Sequence, residues 1–127
     1  MKEGEIVFAN ETILSYTGPL GFIQLFESPC LNLLGFASLV ATNASRMVKA
    51  GGGRKCMEFG TRRAQGPDGA LSAAQYAYLG GFMGSSNVEC ARKLNIPCLG
   101  TMSHAYVTSF SSLDDIAFSD DFSRSLK

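Results

Sequence analysis

The spacing of hydrophobic residues changes from extended to helical within the first twenty positions of the chain. Residues 5–9 and 12–16 carry β-branched and aromatic side chains on either side of Asn10-Glu11, which predicts a small β-hairpin. From Leu20 onward the apolar residues follow a helical spacing instead. The pattern therefore predicts a short hairpin followed by a long helical segment.

This helical segment contains a start signal and ends at a run of glycines. Ser28 followed by Pro29 is typical of an N-cap and a first helical position, so we expect the helix to restart there. Residues 51–53 are all glycine, which accepts the positive φ of a helix C-terminus. We expect a buried connecting helix that is too polar to span a bilayer. Its predicted inward face carries Leu31, Leu34, Leu39 and Met47.

The rest of the chain alternates short apolar runs with helical stretches. The runs KCMEF at 55–59 and IPCLG at 96–100 predict two short strands. Between them we expect a GPDG turn and two short helices, over 72–78 and 86–94. Polar residues follow both strands. Because ligands bind at the carboxyl edge of parallel strands in α/β sheets and barrels, we expect both polar clusters to face one cavity.

Composition limits the class of protein and of partner. The chain has 127 residues, 46% of them hydrophobic and 17% charged, which is typical of one globular domain. Eleven basic residues balance eleven acidic ones, so we expect no nucleic-acid and no membrane partner. The four cysteines have no C-x-x-C spacing, which argues against a zinc site. No apolar leader is evident, so we expect reduced thiols and a cytoplasmic location.

Two adjacent arginines follow the first predicted strand. Arg62 and Arg63 fit a solvated basic turn, but they also fit anion recognition, since a guanidinium grips phosphate with two hydrogen bonds. The glycines beside them would let the backbone approach a ligand closely. Phe59, just before them, is more typical of a core residue than of a ring that stacks on a ligand.

The single histidine follows the second predicted strand. His104 fits a structural loop histidine, a general base, or a nucleophile that carries a phosphoryl group. Between the two clusters, GFMGSSNVECARKL fits a capped amphipathic helix. It also fits a helix N-terminus that presents Ser85, Ser86 and Asn87 to an anion.

The order of these motifs resembles the nicotinate phosphoribosyltransferases. The resemblance rests on FASLVATNASR at 36–46, FGTRRAQGPDG at 59–69, YLGGF at 78–82, GSSNV at 84–88 and GTMSHAYV at 100–107. It covers most of the chain, and the run RRAQGPDG is highly specific.

The resemblance implies an α/β fold. Residues 1–50 would be the end of a small α/β domain with its connecting helix, and residues 51–110 the first strands of the irregular α/β barrel of a type II phosphoribosyltransferase. Residues 111–127, rich in serine and aspartate, are expected to be loop or a frayed end. It also implies a homodimer whose active site is shared between subunits.

The resemblance also implies a reaction and roles for site residues. Nicotinate and phosphoribosyl pyrophosphate form nicotinate mononucleotide in NAD salvage, coupled to ATP hydrolysis, and Mg²⁺ assists the leaving pyrophosphate, although we identify no metal ligand in this segment. His104 matches the histidine that becomes phosphorylated. The residues that match or adjoin substrate-binding positions are Thr101, Arg62, Arg63, Phe59, Asn87 and Ser86.

The chain departs from the family in three respects. Around the histidine, Ser103 and Ala105 reverse the usual order of alanine and serine, and Thr61 stands where an apolar residue is common. Family enzymes are also several times longer, so we expect a fragment that is inactive and poorly stable on its own. The alternative is a non-catalytic fragment that only binds phosphate or associates with full-length subunits.

Overall fold

The computed structural model describes residues 1–110, and helices account for most of its regular structure. The predicted loop or frayed end at 111–127 lies outside these residues. The elements in chain order are α1 (Leu20–Ala50), a 3-10 turn (Thr61–Arg63), α2 (Gly66–Leu79), α3 (Val88–Leu94) and α4 (His104–Val107). Within residues 1–110, extended segments pair only through isolated parallel β-bridges, so regular strands do not form there.

The predicted N-terminal hairpin is wrong. Residues 1–19 form no strand, and local bonds from glutamate side chains turn the chain instead. The Glu5 carboxylate accepts from the Lys2 N–H at 2.9 Å, and the Glu11 carboxylate accepts from the Phe8 N–H at 2.8 Å. Such side-chain bonds compete with a strand ladder for the same backbone donors, which explains the failure.

Helix α1 begins at Leu20 and ends at Ala50, as the apolar spacing and the glycines predict. The expected restart at Ser28 is wrong, because Pro29 lies inside the continuous helix. Proline there removes one backbone hydrogen bond, at a cost of about 3 kcal/mol. Good helix formers, including several leucines, flank the proline on both sides and favour one continuous helix.

The inner face of α1 consists of small residues and not of the predicted leucines. Leu31 and Leu39 are 63% and 67% exposed. The side chains that are buried or half-buried in the second half of α1 belong to Ala37, Val40, Ala41, Ala44 and Val48. They recur at three- and four-residue intervals, so they form one stripe along the helix.

A close contact with α2 explains why this stripe is small. Gly80 caps the C-terminus of α2, and a Cβ atom there would lie 2.5 Å from the Ala41 carbonyl oxygen and 2.7 Å from the Ala44 Cβ. No leucine could occupy this position on α1 without separating the helices. The packing therefore selects the smallest side chains on both helices, and the large ones remain outside.

The first half of α1 leaves a large apolar surface exposed. Eight of its large side chains are more than a third exposed: Leu20, Phe22, Leu25, Phe26, Leu31, Leu33, Leu34 and Phe36. The expectation of a buried helix is therefore wrong for this half. By length and composition α1 could also cross a bilayer, since its most apolar stretch of 18 residues has a mean hydropathy of 1.3. The expectation that α1 is too polar to span a bilayer is therefore wrong as well. Core helices of soluble proteins meet the same criteria.

Helix α2 joins α1 to the remainder of the fold. The expected GPDG turn is its first turn, where proline is tolerated because the N–H it lacks has no helical acceptor. Helix α2 thus begins six residues earlier than expected, and it ends before Gly80 as predicted. On its other side Ala74 packs with Cys90 and Ile96 in the small buried core.

We expect Gly80→Ala to lower the free energy of unfolding by about 1–3 kcal/mol, because the new methyl group overlaps the backbone of α1. Gly35→Ala is the matched control, since a Cβ at Gly35 meets nothing within 4 Å. That variant should gain roughly 0.5–1 kcal/mol from helix propensity. Urea unfolding of both variants measures the difference. Equal effects at the two positions would contradict the close contact.

Candidate active-site edge

Three extended segments lie side by side in parallel. Single bridges pair Glu58 with Ser85 and Ser85 with Cys98. The Glu58 N–H donates to the Gly84 carbonyl at 3.0 Å, and the Ser86 N–H donates to the Glu58 carbonyl at 2.9 Å. The segment around Ser85 is therefore the middle one of three.

The middle segment is the element that sequence reasoning missed. Its glycines and serines resemble a loop, yet the Ser85 N–H donates to the Pro97 carbonyl at 3.1 Å and the Leu99 N–H donates to the Ser85 carbonyl at 3.0 Å. A Cβ at Gly84 would lie 2.3 Å from the Pro97 carbonyl oxygen. Small residues are required here by the close approach of two backbones, which the pattern of apolar residues does not reveal.

The parallel pairing makes three chain segments leave from one edge, which we call the carboxyl edge. It consists of residues 59–63, 86–87 and 99–104, which follow the three bridged residues. All seven sequence-predicted site residues lie in these ranges. The parallel direction of the segments agrees with the expected arrangement, and the expectation that both polar clusters face one cavity stays a prediction.

The arginines at this edge are exposed. Arg62 and Arg63 lie in the 3-10 turn Thr61–Arg63, and neither forms an ion pair within residues 1–110. Phe59 is 41% exposed, so its interpretation as a core residue is wrong. The edge therefore presents two guanidinium groups and an aromatic ring to solvent, which are groups suited to an anion and a planar ring.

Glu58 and Ser85 connect two of the segments through their side chains. Ser85 is fully buried, and its hydroxyl donates to the Glu58 carboxylate at 2.5 Å and accepts from the Asn87 N–H at 2.9 Å. The other Glu58 carboxylate oxygen accepts from the Gly60 N–H. Ser85 is therefore turned inward and not toward a ligand. An acidic residue inside an apolar run was the signal that could have revealed Glu58.

The predicted helix at 86–94 is confirmed as α3, with Asn87 as its N-cap. The Asn87 Oδ1 accepts from the Cys90 N–H at 3.0 Å. Ser86 and Asn87 are both half-buried at the edge. The capping bond occupies the carbonyl side of the Asn87 amide and fixes the orientation of its side chain.

Two ionisable groups on α3 have shifted pKa values. Hydrogen bonds from Arg92 and Lys93 lower the pKa of Glu89 to about 2. Burial, and next the charge of Glu58, raise the pKa of the Cys90 thiol. The basic residues of α3 are thus engaged with Glu89, and Cys90 stays protonated and is no nucleophile.

His104 is the first residue of α4 and is exposed. The Ser103 hydroxyl caps this short helix by accepting from the Tyr106 N–H at 3.2 Å. The serine that departs from the family motif therefore has a structural role, which is to fix the turn that carries the histidine. Thr101 lies three residues earlier in an exposed stretch without regular secondary structure.

The donor groups of the described residues do not form a metal site. Residues 1–110 contain no cluster of three or more His, Cys, Asp or Glu side chains that could hold an ion. None of the four cysteines, which all lie within residues 1–110, forms a disulfide. The chemistry of the edge is therefore that of guanidinium, hydroxyl, amide and imidazole groups.

Comparison with known proteins identifies the family to which this chain belongs. The family model for the nicotinate phosphoribosyltransferase (NAPRTase) family matches residues 54–125. The chain is 55% identical to Nicotinate phosphoribosyltransferase 2 of Arabidopsis thaliana over 117 residues. These residues make up 91% of this chain and 21% of that protein. It is 49% identical to Nicotinate phosphoribosyltransferase of Homo sapiens over 112 residues. These residues make up 87% of this chain and 21% of the human protein.

A solved structure gives the same result. The structure is similar to the crystal structure of human Nicotinic Acid Phosphoribosyltransferase, with a TM-score of 0.68 and 53% identity. The similarity covers 74% of this chain and 19% of that one. The chain belongs to the nicotinate phosphoribosyltransferase family, and it spans about a fifth of the length of the curated relatives it matches.

Proposed function

We propose that this chain forms part of the active site of a nicotinate phosphoribosyltransferase. The reaction joins nicotinate to phosphoribosyl pyrophosphate, with ATP hydrolysis, and gives nicotinate mononucleotide for NAD biosynthesis. The observation that carries the proposal is the parallel pairing of Glu58, Ser85 and Cys98, because the segments bearing the arginines, the Ser86-Asn87 pair and the histidine follow these three residues. The family membership supports it.

The arginines suit the departure of pyrophosphate. When the nicotinate nitrogen attacks the anomeric carbon, the bond from that carbon to the pyrophosphate oxygen breaks, and negative charge accumulates on the leaving group. Arg62 and Arg63 are exposed and have no acidic partner within residues 1–110, so their donors can face such an anion. Charge-assisted bonds to a leaving anion stabilise the transition state. Mg²⁺ is expected for the family, but the described residues offer no ligand cluster for it, and we assign no step to it.

The remaining residues of the carboxyl edge suit an acidic aromatic ring. Phe59 offers an exposed ring face, and Thr101 offers a hydroxyl group. Asn87 and Ser86 are neutral, so they would repel the nicotinate carboxylate less than an acidic side chain would. We assign these four residues to binding and orientation of nicotinate.

We assign His104 to the coupling with ATP. An imidazole nitrogen attacks the terminal phosphorus of ATP, the bond to the ADP oxygen breaks, and the imidazole loses its proton to solvent. The resulting phosphohistidine is later hydrolysed to phosphate. The exposure of His104 and the fixed turn created by Ser103 support this assignment, because the ring must meet a large substrate.

Several further properties follow from the family and are part of the proposal. We propose that the three paired segments begin an irregular α/β barrel of type II, that the complete enzyme is a cytoplasmic homodimer, and that residues 1–50 and 51–110 belong to different domains of it. The second candidate function is a non-catalytic chain that associates with full-length subunits. The exposed apolar side chains on the first half of α1 favour this candidate, since such a surface is typical of an interface.

Activity assays separate the two candidates. We expect the 127-residue chain alone to form no nicotinate mononucleotide, because a fifth of the family length supplies too few of the substrate contacts. A chimera in which the chain replaces the matched stretch of the Arabidopsis thaliana relative should form it in the presence of nicotinate, phosphoribosyl pyrophosphate and ATP. A folded chimera without activity would favour the non-catalytic candidate. Turnover by the chain alone would contradict the expectation.

We expect His104→Ala to abolish acid-labile phosphate incorporation from labelled ATP in the chimera, because the variant has no imidazole nitrogen to accept phosphate. Ser103→Ala is the matched control. It removes the cap of α4 but keeps the imidazole, so the label should persist. Labelled phosphate that survives in His104→Ala would place the acceptor elsewhere.

We expect Arg62→Ala to reduce transition-state stabilisation in the chimera by about 2–4 kcal/mol, because one charged partner of the leaving anion is lost. The fall in kcat/KM measures this loss. Arg62→Lys should recover only part, since an ammonium group cannot form two parallel bonds. Arg92→Ala removes the same charge from the exposed side of α3, where Arg92 pairs with Glu89, and should leave kcat/KM unchanged. Equal effects of Arg62→Ala and Arg92→Ala would contradict this role and favour the interpretation of Arg62 as part of a solvated basic turn.

A further inference from the structure

We infer that Glu58 is a positioning residue that fixes the arginine turn and the Ser86-Asn87 loop relative to one another. This inference rests on the proposed function of the carboxyl edge. We call the contact of Glu58 with Ser85 the Glu58–Ser85 joint. Its geometry differs from that of the surrounding backbone pairing, because it is made by side chains.

One carboxylate oxygen of Glu58 holds the start of the arginine turn. It accepts a hydrogen bond from the N–H of Gly60, which is the residue before the 3-10 turn Thr61–Arg63. The N–H of Arg63 in turn donates to the Gly60 carbonyl at 2.8 Å. Glu58 thus acts on the orientation of Arg62 and Arg63 through the backbone of Gly60, without being placed at the substrate itself.

The other carboxylate oxygen holds the Ser86-Asn87 loop. It accepts from the hydroxyl of Ser85, and that hydroxyl accepts from the N–H of Asn87 at 2.9 Å. Ser85 is fully buried, so these bonds cannot be exchanged for bonds to water without opening the structure. The same carboxylate therefore orders two loops whose residues lie 27 positions apart in the chain.

Only an ionised carboxylate suits both partners at once. It has two acceptor oxygens and no proton, whereas a glutamine has one acceptor oxygen and an NH₂ group. In Glu58→Gln the single amide oxygen can accept from only one of the two partners. The Ser85 hydroxyl is buried and the Gly60 N–H is exposed, so the oxygen should keep the bond to Ser85 while the Gly60 N–H turns to water. The substitution should thus loosen the arginine turn and spare the Ser86-Asn87 loop.

Hydrogen exchange of the chimera tests the joint without any assay of activity. We expect Glu58→Ala to speed exchange of the Gly60 and Asn87 amides together, each by about tenfold or more. We expect Glu58→Gln to speed exchange at Gly60 and to leave Asn87 within about twofold of the unsubstituted chimera, and we expect Ser85→Ala to do the reverse. The amides of Met83 and Leu99 are internal controls, because they donate to backbone carbonyls of Cys56 and Ser85.

The outcomes are distinguishable from a failure of the proposed function. Uniform acceleration at Met83 and Leu99 in all three variants would indicate a merely structural role and overturn the inference, as would no protection at Gly60 and Asn87 in the unsubstituted chimera. In the chimera, Ser85→Ala should raise KM for nicotinate by about tenfold or more with kcat changed less than about threefold, because the Ser86-Asn87 loop is disturbed and the arginine turn is not. A chimera that folds but has no activity would contradict the proposed function and leave the exchange result standing.

Discussion

The main chain at Ser85 is the constraint on which the carboxyl edge depends. Its N–H and C=O groups pair with the segment at residues 97–99, while the backbone beside it pairs with Glu58. If this middle segment were absent, the segments that carry the arginines and the histidine would have no common partner. Because all three run in parallel, the polar residues that follow them leave from one edge. The shared edge is therefore a consequence of backbone pairing around one small, buried residue.

Close packing of small residues holds the helices around this edge. Gly80 allows the end of α2 to approach Ala41 and Ala44 of α1, and Ala74 on another side of α2 packs against Cys90 and Ile96. The large apolar side chains of α1 take no part in this contact. Helix α1 thus uses its small residues for internal packing and leaves its leucines and phenylalanines to face outward, opposite to the usual assignment of large apolar residues to the core.

The sequence predicts those features whose causes are local. The ends of α1 follow from the apolar spacing after Leu20 and from the glycines after Ala50, and α3 follows from its Asn87 cap. The inner face of α1, the middle segment and the Glu58–Ser85 joint could not be predicted, because each depends on what a distant segment brings close. In the sequence Gly84 resembles a loop residue, and only the structure shows that its backbone lies against Pro97. Motif resemblance supplied the predicted site residues of the edge, which remain predictions, but it gave no reason to single out Glu58.

The chemistry of Glu58 explains why an acid lies within an apolar run. A buried polar group without a partner costs about 1–3 kcal/mol, and an unpaired charge costs more. Here the half-buried carboxylate receives the Gly60 N–H and the Ser85 hydroxyl, so its charge is compensated on both oxygens. The same charge helps to raise the pKa of Cys90 and so keeps that thiol neutral in the core. An apolar residue at this position would remove the charge but would leave the buried Ser85 hydroxyl without its acceptor, so the acid is the residue that satisfies both loops.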